Sequence, residues 1–326
     1  MNLVGIINEN EFYTSYYLSE IFEGDIKSCI DAWNQKAESD ENYTPPFKQL
    51  RTLSSDYFSL LDKLGKKSLS ELDKLELSRN FSSRLLQALG FEFHPKSVEL
   101  DDGSLPLLAT IEKANGEPLV WVLEVFSSEP CNVLETLPLN EQLHTLETVL
   151  EAENYDAIIT SHIFALEEPP RWVVLVSPFE IVLIDRAKWA QKRFIRFDLS
   201  EIFGRKEDAV LKATAVLLHA DSLAPKSGQT LLDTLDENSH KHAFGVTEDL
   251  KYALREAIEL LANEALHFAK EKDPKSLQKE GLEEQLSREC LRYMYRLLFI
   301  FYIESRPELG YVPLNSSTYL HGYSLE

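Results

Sequence analysis

The chain has 326 residues, 44% of them hydrophobic and 27% charged, which is ordinary for a globular protein and enough for two or three domains around a sizeable core. A formal net charge of −21 excludes a surface built as a whole to wrap nucleic acid, because that task depends on clustered lysine and arginine. No apolar run approaches the length of a membrane span, Met1 to Ile7 is too short and uncharged for a signal peptide, and Cys29, Cys131 and Cys290 are spaced as isolated thiols of a reducing cytoplasm rather than as a metal array.

Asn8 to Phe22 is aromatic-rich, and Phe12, Tyr16 or Tyr17, and Ile21 recur at helical spacing. This predicts a helix whose aromatic stripe belongs to a core, although such rings also stack on bases. Gly24-Asp25 ends it and starts a second helix, and Ser39 to Pro46 is a polar, proline-ended linker. A third helix is expected over Phe47 to Leu64, so residues 1–67 form a helical segment. Ser68 and Glu71 make a capping box. The helix behind it offers Leu72, Leu75, Leu77, Phe81, Leu85, Leu86 and Leu89 as an inward face and closes at Gly90.

A short strand and an acidic turn follow, and then the stretch on which the next domain, residues 68–205, is organised: LPLLATIEKANGEPLVWVLEVF, from Leu105 to Phe126. It predicts two strands joined by a tight Asn115-Gly116 turn. The second strand is apolar almost without interruption, the mark of a strand buried on both faces. Glu124 breaks the pattern, and a carboxylate in that setting needs a partner or a function.

Helix, Leu-Gly, strand, acidic turn and a hairpin with a carboxylate on its second strand resembles the core of PD-(D/E)xK nucleases. The resemblance implies an α/β (α+β) fold with a mixed sheet flanked by helices. It also implies an Asp on the first hairpin strand and Glu-x-Lys on the second, which together hold Mg²⁺ and a hydrolytic water. This sequence departs from that pattern: Glu124-Val125-Phe126 lacks the lysine, and Leu107-Leu108-Ala109 stands where the Asp belongs, with Asp101 and Asp102 a few residues earlier. A single acid does not make a Mg²⁺ site, so the expectation is a degenerate nuclease-like core with Asp101, Asp102 and Glu124 as vestigial candidates. Lys113 as a substitute lysine is too distant, roughly 25 Å along the hairpin.

Beyond the hairpin, Leu139 to Ala152 reads as a helix, Tyr155 to Ser161 as a strand, and RWVVLVSP, EIVLIDR and RFIRFDL as three more strands of a mixed sheet. The densest cationic strip, Arg186, Lys188, Lys192, Arg193 and Arg196, is the candidate DNA contact; Asp185 and Asp198 beside it also fit a solvated hairpin. Residues 206–326 form a helical spacer. Glu207 to Ala220 is a helix, Asp221 to Gly245 a loop, and Thr247 the cap of a long helix; the Ser239-His240-Lys241-His242 cluster has no further ligand at metal spacing. A second long helix follows Gly281, apolar nearly all round from Leu297 to Ile303 and therefore expected to be buried there, packed antiparallel on the first.

Taken together, LVGIINENEFYTSYYLSEIF, LPLLATI with EPLVWVLEVF, HAFGVTEDLKYALREAIELLANEAL and RECLRYMYRLLFIFYIESRPELGY resemble the N-terminal region of large type IIG-like adenine-N6 DNA methyltransferases of restriction and phage-defence systems, including DISARM- and BREX-like loci. The resemblance implies a nuclease-derived domain, then a helical spacer, then a methyltransferase domain that binds S-adenosylmethionine. Neither an Asn-Pro-Pro loop nor a Gly-x-Gly turn occurs here. The chain is therefore expected to stop before that domain, to hold no cofactor itself, and to use Mg²⁺ only if it cuts DNA. Its expected work is scaffolding in the cytoplasm, with DNA or defence-system subunits as partners, no membrane, and self-association through exposed spacer helices. The alternatives are an endonuclease with a displaced site and an acidic protein-interaction or DNA-mimic module.

Overall fold

Seven strands form a single mixed sheet in the order β1-β7-β6-β5-β4-β3-β2. They are β1 (Ile6–Glu9), β2 (Lys96–Leu100), β3 (Gly103–Glu112), β4 (Pro118–Glu124), β5 (Trp172–Val176), β6 (Glu180–Asp185) and β7 (Phe194–Asp198). The computed structural model describes residues 3–100, 103–136, 153–226, 228–275, 281–306 and 310–325. Every neighbouring pair is antiparallel except β4 and β5, which run parallel. A parallel pair needs a long crossover, and the chain between Glu124 and Trp172 supplies it.

The apolar continuity of β4 has the cause its sequence predicts. Val120 and Val122 join one core with Trp172 and Val174 of β5, whereas Trp121 and Leu123 join the other with Val173 and Leu175. Both faces are covered, so alternation disappears. The larger core receives helices α1 (Phe22–Asp25), α2 (Lys27–Ser39), α3 (Pro46–Leu64) and α4 (Glu71–Ala88). The smaller receives α5 (Tyr155–Ala157) and the wider π turn that continues it, Ile158–Ile163. Helices α6 (Arg186–Trp189), α7 (Leu199–Arg205), α8 (Asp208–Leu218) and α9 (Ala220–Leu223) follow, and then α10 (Leu231–Lys272), α11 (Leu282–Glu304) and α12 (Ser317–Gly322).

The chain divides into two compact units, Met1–Ala243 and Phe244–Glu326. The expected segments 1–67 and 68–205 both fall inside the first. Its aromatic stripe is core: Phe12, Tyr13, Tyr17 and Phe22 are buried, and Tyr16 is exposed.

Several local expectations are corrected. The start of the Asn8–Phe22 stretch belongs to β1, which pairs with β7 at the sheet edge. The capping box is Ser70 with Asp73, not Ser68 with Glu71: Ser70 Oγ accepts from the Asp73 amide at 3.2 Å, and the Asp73 carboxylate accepts from the Ser70 amide at 3.2 Å. The hairpin turn is one residue longer than a tight Asn-Gly turn. Lys113 accepts from the Gly116 amide at 2.9 Å, and Gly116 alone takes the left-handed conformation, φ +87°, as in a three-residue hairpin loop.

Tyr155 to Ser161 is helical rather than a strand. Asn154 caps it by accepting from the Ala157 amide at 2.9 Å, and Tyr155, Ile158, Ile159 and Ile163 face the core at helical spacing. Packing outweighs the β preference of the isoleucines. Residues 231–245 are helix rather than loop, and α10 starts with Thr230, not Thr247, because Thr230 Oγ1 accepts from the Asp233 amide at 3.1 Å and Leu232 and Leu235 are buried. Leu297 to Ile303 is exposed or partly exposed rather than buried. Leu139 to Ala152 lies outside the described residues.

Gly90 closes α4 at φ +77°, and a Cβ there would stand 2.6 Å from Nε2 of the buried His219. Both the backbone conformation and the space require glycine. Gly90→Ala is expected to lower the stability of the first unit by about 1–3 kcal/mol, read as a lower midpoint in thermal or urea denaturation.

Candidate functional site

Glu124 is the last residue of β4, at the end where β4 and β5 run parallel, and it pairs in register with Val176. Above it lies α4, whose buried stripe includes Leu75, Ser78, Ser82 and Leu85. The two serines are small enough to let the helix lie close, and Arg79, beside Ser78, reaches over the strand end. Its Nε donates to Glu124 Oε2 at 2.7 Å. The glutamate side chain is 4% exposed and the arginine side chain 32%. The Glu124 carbonyl accepts from the Tyr155 hydroxyl at 2.8 Å, and the Val125 amide donates to the Val176 carbonyl at 2.9 Å. The glutamate is therefore held from the helix above, the crossover below and the neighbouring strand.

The electrostatics are unbalanced. Glu124 Oε1 is buried and has no hydrogen-bond partner among the described residues. Desolvation pushes the carboxyl above the usual glutamate range, against the pull of the Arg79 charge. The pair is cationic on its wet side and starved of donors on its dry side.

This arrangement does not fit Mg²⁺, which asks for several hard oxygen ligands in octahedral array. One carboxylate oxygen already bonds an arginine. The β3 residues on the α4 side of the sheet, Leu108 and Ala109, carry no ligand atom in their side chains, and buried Phe126 stands where the motif has its lysine. Among the described residues no group of three or more His, Cys, Asp or Glu side chains gathers as a metal site. Asp101 and Asp102 lie outside the described residues. Lys113 pairs with Glu117 at 2.6 Å at the hairpin turn, away from Glu124.

Four of the five cations of the strip are engaged within the protein, although Arg186 and Lys192 stay exposed. Lys188 Nζ donates to the Phe12 carbonyl at 2.7 Å and to the Asp236 carboxylate, and it lies over the Phe12 ring at 4.1 Å. Burial pulls its ammonium below the usual lysine range. Lys192 bonds Asp156 at 2.6 Å, and Arg196 bonds Glu180 at 2.7 Å with Glu9 at 3.5 Å. Arg186 donates to the Pro169 carbonyl at 3.3 Å. Arg193 is half-buried and its charge opposes that of Lys188. Arg171, which the sequence did not single out, bonds Asp233 at 2.9 Å through Nη1 and Asp185 at 3.3 Å through Nη2. Asp233 and Asp236 both belong to α10, so these cations fasten its first turns to the sheet.

No family model, curated protein or solved structure matches the chain.

Removing one member of a buried ion pair strands the other. Arg79→Met is expected to cost about 3 kcal/mol at pH 7. The sign with pH follows from Glu124: its folded pKa is already raised, and losing the arginine raises it further. The unpaired carboxyl is tolerated when protonated, so the loss shrinks below the usual glutamate range and grows as pH rises above it. Urea denaturation of the wild type and the variant at pH 4 and pH 7 measures this, and Arg79→Met with Glu124→Leu is expected to recover most of the loss at pH 7.

Proposed function

We propose that this chain is a nuclease-like scaffold without hydrolytic chemistry, serving as a non-catalytic contact region of a DNA-modifying restriction protein of the adenine-methyltransferase type. Its support is the succession α4, β2, β3, β4 with a carboxylate at the end of the second hairpin strand, the order that the nuclease resemblance rests on. The observation that carries the non-catalytic half is the Arg79–Glu124 bond at 2.7 Å. An arginine pairs with the carboxylate that a hydrolytic site would give to a cation, and it supplies charge without a bound water to activate. In this reading S-adenosylmethionine belongs to a separate methyltransferase domain.

The internal pairing of the strip favours a protein partner over DNA as the contact. Cations paired with Asp156, Glu180, Asp236 and Glu9 offer phosphates less net charge, while the chain keeps its excess of carboxylates. An acidic surface of this kind attracts basic proteins over a distance set by salt.

The test uses the full chain. Incubated with supercoiled DNA and Mg²⁺, it is expected to leave the DNA intact, and Glu124→Ala is expected to change nothing. Cutting that Glu124→Ala abolishes would sink the proposal. In gel shift at low salt, Lys192→Glu is expected to leave DNA affinity unchanged; a large loss would restore the strip as a DNA contact.

A further inference from the structure

Among its described residues, the second unit, Phe244–Glu326, buries only Cys290 and Glu304, both in α11. Glu304 is taken up by its own unit, accepting from the Tyr319 hydroxyl at 2.7 Å and from the Leu325 amide at 3.2 Å. One side of α11, with Leu286, Cys290 and Tyr293, shares a groove with Leu261 and Ala265 of α10. On the other side, by the helix step of about 100° per residue, run Leu291, Tyr295, Leu298 and Tyr302. Leu291 is 58% exposed, Tyr295 71% and Tyr302 53%, with Phe299 and Phe301 half-exposed beside them. A small helical unit that leaves these side chains wet gains little from burial.

The spacing of that seam identifies the shape of its occupant. Steps of four, three and four are the a/d repeat by which one helix packs into another. We infer that the occupant is a second copy of this chain, its α11 laid antiparallel across the first.

Three observations favour self-pairing in this direction. Antiparallel register sets Leu291 against the other copy's Tyr302 and Tyr295 against its Leu298, so every layer meets large with small, whereas parallel register stacks tyrosine on tyrosine and leucine on leucine. Charge agrees with it. Glu283 and Glu284 lie at the start of α11 and Arg306 just past its end, so antiparallel copies bring opposite charges together at both ends. The helix itself carries four acidic and three basic side chains in a chain of net charge −21, so two copies meet here with little of the repulsion that the rest of the surface would impose. Area sets the strength. With about 200 Å² per aromatic side chain, half of it exposed, the seam and its flanking phenylalanines offer roughly 500–600 Å² per copy. Two copies together bury about 1,000–1,200 Å², the lower edge of a specific interface. The dimer is accordingly weak and concentration-dependent.

Sedimentation velocity of the full chain is expected to show a mass that rises from one copy toward two as concentration increases. Tyr295→Glu, on an exposed position, is expected to hold it at one copy with its far-ultraviolet circular dichroism unchanged. Register is read by mixing Tyr295→Cys protein with Leu298→Cys protein under mild oxidation, with the native chain as control. Cross-linked dimer is expected in the mixture and not in either variant alone. A chain that stays monomeric at every concentration overturns the proposal and gives the seam to a helix of a different protein. Tyr295→Glu protein that still dimerises, or cross-linking within each variant alone, overturns it as well.

Discussion

A strand buried on both faces constrains everything placed around it. From Val120 to Glu124 β4 is buried throughout, so the chain must supply a layer on each side, and it does so unequally. Four helices that precede the hairpin, together with α8, cover one face, while the short helical crossover covers the other. The parallel step from β4 to β5 follows, because a chain that must cross a face to cover it returns in the same direction.

The price of that burial is concentrated at Glu124. A carboxylate at the end of a dry strand is tolerated because Arg79 arrives from α4, and α4 can lie close because it turns Ser78 and Ser82, not large side chains, toward the sheet. The same logic repeats at the other end of the sheet. Arg171 and Lys188 are held between aromatic rings and the carboxylates of α10. Positive charge in this acidic chain is used where it fixes one element to another.

The two units differ in kind. The first has two packed cores and long-range ion pairs. The second has helices stabilised by i,i+3 and i,i+4 pairs, such as Arg255 with Glu259 and Arg292 with Glu289, which contribute only a few tenths of a kcal/mol each.

Local pattern was enough for the helices α3, α4, α8 and α11, for strands β3 to β7, and for the role of Phe12 and Tyr17 as core, because period and chain reach are properties of neighbours in sequence. It also showed that Glu124 stood in an apolar strand and lacked its expected companions. It could not show the partner: Arg79 precedes Glu124 by 45 residues, and Asp236 follows Lys188 by 48. For the same reason Tyr155 to Ser161 read as a strand and Asp221 to Gly245 as a loop. The isoleucines of the first and the polar residues of the second have weak local preferences, and the core contacts of Ile158, Ile159, Leu232 and Leu235 decided both. Sequence by itself determined which segments are apolar, how often, and where a lone carboxylate falls. Tertiary structure decided which charge answers which, because ion pairs form across space between residues that share no local pattern.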